Sequence, residues 1–252
     1  MVLEASVKDT LLADCSDFLK SEKCEASGIP FRRGYLLHGV PGSGKTSLVY
    51  SLAGELGLNI YVVSLSSKGM CDNTLTTLMG NAQSPCILLL EDLDAAFTRT
   101  PDNNNGSTLS LSGLLNSIDG VAAPQGRLLF ITTNHFNLLD PALRRAGRID
   151  RYIEFTYATK EQAEDLFKDA SQHDLTCSER KSDSEGHSTL LIKPPEISEL
   201  AARFARAIPE KTVSVAGLQG YLVKNKTRPR ACVEEVERST LAEFLNITML
   251  LK

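Results

Sequence analysis

Two short stretches carry groups suited to phosphate chemistry. Residues 39–46 read GVPGSGKT and residues 87–97 read ILLLEDLDAAF. The first, Gly39-Val40-Pro41-Gly42-Ser43-Gly44-Lys45-Thr46, has the spacing G-x-x-x-x-G-K-[ST] between an apolar strand and a helical pattern, and Ser47 continues it. Glycines let successive backbone N–H groups turn inward, and a helix N-terminus adds partial positive charge, so the turn is an anion cradle. Lys45 then reaches the β and γ phosphates of a nucleotide, and the Thr46 hydroxyl is a ligand for Mg²⁺.

The second stretch places Glu91 and Asp92 directly behind buried aliphatics, with Asp94 two positions on. A strand adjacent to the phosphate-loop strand commonly brings an acid to the Mg²⁺ shell, and ligands of open α/β sheets sit at the carboxyl ends of the strands. One carboxylate anchors the metal and its neighbour polarises the attacking water; the residues alone do not say which does which. Further on, RLLFITTNH ends a strand with Asn134, an amide able to orient that water or sense the γ-phosphate. LDPALRRAGRIDR gathers Arg144, Arg145, Arg148 and Arg151 in one turn. Guanidinium groups suit transition-state phosphate charge, although such a turn can equally be paired with its own carboxylates.

The elements that must position these groups follow from periodicity. Helical spacing over 2–20 is followed by a loop, then GYLLHG, NIYVVSL, CILLLED, RLLFITTN and RYIEF as five strands, with helical patterns between them. That alternation predicts a parallel, doubly wound α/β domain over residues 1–157. Residues 158–252 read as a small all-α lid, with a mobile polar loop over 171–189. The polar segment TRTPDNNNGST also reads as a loop. Net charge is −4, and no Lys/Arg stripe with interleaved aromatics is present, which counts against nucleic acid as a partner. The six cysteines form no CxxC pair and read as free thiols in a reducing compartment. No apolar run is long enough to span a bilayer and the N-terminus is not a signal peptide, so a soluble chain is expected.

GYLLHGVPGSGKTSL, ILLLEDLDAAF, LLNSIDGV, LLFITTN and LDPALRRAGRIDR, in this order, resemble an AAA-family ATPase module, a P-loop NTPase fold. GIPFRRGYLLHG, IYVVSLSSKGMCDNTL, LEDLDAAF and GLQGYLVKNKTRPRACVEEV are similar to the Bcs-type ATPases, and to fungal chains of that type most of all. The resemblance covers residues 2–238. It implies ATP and Mg²⁺ as cofactors, a homo-oligomeric ring, and a protein cargo, for that family the Rieske iron–sulfur protein of respiratory complex III. It also implies the mitochondrial inner membrane, with attachment only through an N-terminal segment absent from this sequence. It assigns residues 39–46 to ATP, Glu91 to the metal shell, Asp92 to water activation, Asn134 to the first sensor position, and Arg145 and Arg148 to arginine fingers that reach a neighbouring subunit. Ala146 replaces the usual proline between the fingers. The loop SLSSKGMCDN lacks the aromatic with which threading machines grip unfolded chain. Arg228 and Arg230 are candidates for a second sensor. Two other classes compete: a truncated or degenerate nucleotide-binding interaction protein without turnover, and a nucleic-acid-linked AAA protein such as a clamp loader. Turnover in an assembly shared between subunits separates the first from the ring ATPase, and salt-dependent DNA affinity would support the second.

Overall fold

The structure, a computed structural model, describes residues 5–21, 31–97, 108–119, 125–145, 147–178 and 194–239. The chain divides into two compact units, Ala5–Gly39 with Lys45–Phe155, and Val40–Gly44 with the chain from Thr156 onward.

In the first unit five parallel strands, β1 (Arg32–Gly39), β2 (Asn59–Ser64), β3 (Cys86–Glu91), β4 (Arg127–Thr133) and β5 (Arg151–Phe155), lie in the order β2-β3-β4-β1-β5. Every residue of β4, and all of β3 except Glu91, is buried. Continuous aliphatic runs of this kind belong to central parallel strands covered on both faces. Helix α1 (Ala5–Lys20) precedes the sheet, and α2 (Lys45–Leu56) leaves β1 and buries Leu48, Val49, Leu52 and Ala53. Next come α3 (Asp72–Asn81), the short α4 (Leu93–Phe97) and α5 (Leu111–Asp119).

The acid-bearing strand differs from expectation in one respect. β3 does not neighbour β1; β4 lies between them. The acids still meet the phosphate-loop helix, because α2 packs on β4, β3 and β2.

A half-buried polar cluster fastens α1 to the sheet. The Asp14 carboxylate accepts from Tyr35 Oη at 2.7 Å, Arg33 Nη2 at 2.6 Å and Arg151 Nη2 at 3.1 Å. Tyr35 is fully buried and stacks on Phe130 with centroids 4.6 Å apart. Burial alone would raise the Asp14 pKa, but the Tyr35 and Arg33 hydrogen bonds and the Arg33 and Arg151 charges together hold it below the usual carboxylate range. Just beside it, Gly34 is obligatory for space: a Cβ there would lie 1.9 Å from the Arg148 carbonyl oxygen.

The second unit contains α6 (Lys160–Ser178), α7 (Pro194–Ala207), α8 (Val215–Lys224) and α9 (Pro229–Arg238) around Phe167, Phe204, Leu218, Tyr221 and Val233. Ser214 caps α8 by accepting from the Gly217 N–H at 3.2 Å, and the Gly42 carbonyl accepts from Ala216 N–H at 2.9 Å. The stretch 171–189, expected to be a loop throughout, is helical as far as Ser178. SQHDLTCS is polar but contains neither Gly nor Pro, and extending an existing helix costs little per residue, so polarity alone does not stop α6. Residues 179–189, most of the TRTPDNNNGST segment and Ala146 lie outside the described residues. Cys15, Cys71, Cys86 and Cys232 are free thiols, as expected. Among the described residues no helix is long and apolar enough to cross a membrane.

Two outcomes follow from the α1 anchor and the Gly34 contact. A carboxylate whose folded pKa is depressed stabilises the fold above its unfolded pKa, and loses that contribution as pH falls through the folded value. Asp14→Asn should therefore flatten the acid limb of a pH–stability curve measured by urea melts. Asp14→Ala, which leaves buried Tyr35 Oη without its carboxylate acceptor, should cost about 1–3 kcal/mol near neutral pH. Gly34→Ala should likewise cost about 1–3 kcal/mol by overpacking, read in the same melts.

Candidate nucleotide site

The site is assembled at the carboxyl ends of β1, β3 and β4. β1 ends at Gly39, whose φ of 124° and closeness to β5 admit no side chain; a Cβ would lie 2.0 Å from the Phe155 carbonyl oxygen. The chain turns through Val40, Pro41, Gly42, Ser43 and Gly44, with Ser43 Oγ donating to the Val40 carbonyl at 2.6 Å, and enters α2 at Lys45. Helix N-terminal amides lack intrahelical partners, so a turn delivered into a helix start is a ready anion site.

Lys45 is only 8% exposed. Its Nζ donates to the Gly39 carbonyl at 3.0 Å and to Asn134 Oδ1 at 2.8 Å. Burial lowers the Lys45 pKa, and the Asp92 and Asp94 charges oppose that fall. Thr46 Oγ1 donates to Glu91 Oε1 at 3.0 Å. A hydroxyl and a carboxylate oxygen side by side are hard oxygen donors, which fits Mg²⁺. Ser47 is exposed on the first turn of α2.

Asp92 has an exposed side chain and a left-handed backbone, φ 52°, rare for a residue with a Cβ. Its N–H is held by Thr132 Oγ1 at 3.2 Å. Such strain collects at functional sites because surrounding structure over-determines it. The adjacent carboxylates are thereby separated: Glu91, still on β3, meets Thr46, whereas Asp92 stands at the tip of the turn.

Four of the predicted residues, Lys45, Thr46, Glu91 and Asn134, are thus joined by direct hydrogen bonds in two pairs. The arginines are not among them. Arg148 forms an ion pair with Asp119 at the end of α5 and donates to the Ala142 carbonyl at 2.6 Å. Arg151 is taken by Asp14. Arg144 donates to the Phe136 carbonyl at 2.8 Å, with its guanidinium 4.3 Å from the Phe136 ring centre. That ring packs at a tilt against His38, with centroids 4.4 Å apart, and burial lowers the His38 pKa. Arg145 is exposed. The possibility of carboxylate pairing therefore holds for Arg148 and Arg151. Arg228 donates to Asn225 Oδ1 at 2.8 Å and Arg230 to Glu196 at 2.5 Å, both inside the helical unit.

Sequence reasoning assigned no role to Asp94, Asp119 or Asp14. Asp94 was visible as the third acid of its stretch, but nothing in a strand pattern says that it faces Thr133 and Asn134. Asp119 and Asp14 receive their partners from residues far along the chain, so spacing carries no signal for them.

This arrangement, a phosphate loop feeding a helix, acids on a nearby strand and a polar strand end between them, is that of a nucleotide-hydrolysing α/β module. Residues 35–157 match the model for the ATPase family associated with various cellular activities (AAA), and residues 160–238 match that of the mitochondrial chaperone BCS1-like ATPase lid domain. The chain belongs to the AAA family, with a lid of the BCS1-like type. It is 41% identical to the probable mitochondrial chaperone BCS1-A of Dictyostelium discoideum, over 95% of this chain and 54% of that protein. It is 40% identical to the probable mitochondrial chaperone bcs1 of Schizosaccharomyces pombe (93% and 48%), and 34% identical to the human mitochondrial chaperone BCS1 (94% and 54%). The chain thus spans about half the length of these curated relatives.

The geometry separates the two acids experimentally. Glu91→Gln should raise the Mg²⁺ concentration needed for half-maximal turnover. Asp92→Asn should leave nucleotide binding intact and lower kcat by about 10²–10⁴, the usual weight of a general base. Titrating Mg²⁺ in a steady-state ATPase assay and measuring binding of a fluorescent nucleotide distinguishes the two effects.

Proposed function

We propose that this chain binds and hydrolyses ATP with Mg²⁺, as the motor module of a homo-oligomeric ring. In this reading the phosphate loop and Lys45 hold the β and γ phosphates. Thr46 and Glu91 hold the metal, Asp92 polarises the attacking water, and Asn134 senses the γ-phosphate beside Lys45. The metal supplies charge neutralisation on the phosphate oxygens.

The observation that carries the shared-site part is the division of the arginine turn: Arg144, Arg148 and Arg151 are committed to Phe136, Asp119 and Asp14 of their own chain, whereas Arg145 is exposed. Arg145, exposed on that turn, is the arginine offered in trans. Arg148, committed to Asp119 and the Ala142 carbonyl, holds the turn in shape.

The relatives bear the names of mitochondrial chaperones. By resemblance the ring acts at the mitochondrial inner membrane on a protein cargo, for the Bcs type the Rieske iron–sulfur protein. The absence of an aromatic from Ser64–Asn73 suits a cargo that is handled folded.

Specific activity should rise with protein concentration and vanish in Lys45→Ala. Arg145→Ala should lose about 10³–10⁵ in kcat, the range for an arginine finger. Mixing the two inactive variants should recover turnover, because a mixed ring contains sites with an intact loop facing an intact arginine. Activity independent of concentration, with no recovery on mixing, would sink the shared-site reading.

A further inference from the structure

The third acid of the ILLLEDLD stretch has no part in the function as read so far, and the structure gives it a definite one. The backbone ladder between β3 and β4 stops at Leu90↔Ile131. Beyond that point the two chains are joined by side chains. Asp92 N–H donates to Thr132 Oγ1 at 3.2 Å, Thr133 Oγ1 donates to Asp94 Oδ1 at 2.8 Å, and the Asn134 N–H donates to the same Asp94 oxygen at 3.2 Å. Thr133 is wholly buried, and its oxygen also accepts the His135 N–H at 3.1 Å. A single carboxylate oxygen therefore fixes both the last residue of β4 and the first residue after it. That residue is Asn134, whose side-chain oxygen lies 2.8 Å from Lys45 Nζ.

We propose that Asp94 is a positioning residue for ATP hydrolysis, pinning the end of β4 so that the Asn134 amide is presented beside Lys45. The proposal rests on the reading of Asn134 as the γ-phosphate sensor. Asp94 suits the task because it sits in the first turn of α4, next to fully buried Leu93, so its backbone is anchored in the core. β4 keeps its ladder to β1 as far as His38↔Thr133, so Asn134 lies just past the ladders on both sides, and an amide set loosely by about 1 Å is enough to cost about 10²-fold in rate. Asp94 also lies close enough to Lys45 for its charge to favour the protonated lysine, a second reason to keep an acid here.

The test is a set of single and double variants in steady-state ATPase assays of the assembled chain, with nucleotide affinity and thermal melts measured alongside. Asp94→Ala should lower kcat about 10²-fold with KM within a few-fold of the parent. Asp94→Asn, which keeps an oxygen acceptor for both donors, should recover most of that loss. Thr133→Val should behave like Asp94→Ala, and Thr133→Ser like the parent. A double variant Asp94→Ala/Asn134→Ala should be no slower than Asn134→Ala alone, because both act through the same amide. Mere loss of packing would instead lower kcat and affinity together, without rescue by Asn or Ser, and add to the Asn134→Ala loss; any of these overturns the proposal. An Asp94→Ala chain with parental kcat beside an inactive Asn134→Ala chain overturns the proposal alone. Normal turnover by Asn134→Ala overturns the sensor reading and the proposal with it.

Discussion

A nearly buried lysine ammonium at the end of a parallel sheet is the constraint that organises this molecule. Lys45 is held by the Gly39 carbonyl and the Asn134 amide, and the charges of Asp92 and Asp94 support its protonated form. Burying a cation is costly unless it is hydrogen-bonded and partnered by negative charge. Each partner is set by a different strand: Gly39 ends β1, Asn134 follows β4, and the acids follow β3. The parallel arrangement is what makes this possible, because all strand ends that carry polar groups emerge on one edge. In an antiparallel sheet the same groups would alternate between two edges.

β4 is accordingly the hinge of the site despite bearing none of the motif residues. It lies between the phosphate-loop strand and the acid strand, and its seven residues are buried throughout. Thr132 and Thr133 are buried hydroxyls at its end, and both are spent on the turn that carries the acids. A valine in either place would fill similar space but leave a donor or acceptor unmatched on the neighbouring chain. The left-handed backbone of Asp92 persists because Thr132 fixes its N–H while Leu93, immediately after, is locked into the core.

Much of this was legible in the sequence where the physics is local. The glycine spacing of the phosphate loop, the aliphatic runs of β3 and β4 and the helical spacing of α1 depend on neighbours a few residues away, and each was read with nearly the right bounds. Strand order was not legible: hydrophobic runs state that strands are buried but not beside which others, so the insertion of β4 between β1 and β3 came only with the fold. The extension of α6 to Ser178 was missed because polar composition was taken as a stop signal when only Gly, Pro or a cap is one. The arginine turn was read as to type but not as to partner. Four guanidiniums in one short turn look equivalent on paper; in space they are divided among Asp14, Asp119, the Phe136 ring and solvent.

That division bears on how an exposed arginine can be held ready. The start of β1 is crowded: Gly34 has no room for a Cβ, its N–H donates to Asp150 Oδ2 at 2.9 Å, and the Arg148 carbonyl presses against it. The Asp119–Arg148 ion pair and the Arg148 bond to the Ala142 carbonyl then brace the turn from α5 on one side and from its own first residues on the other. An exposed arginine is worth little as a phosphate ligand if its turn is loose, because ordering it on contact would consume the interaction energy it brings. A turn braced in advance by internal ion pairs removes most of that entropic cost.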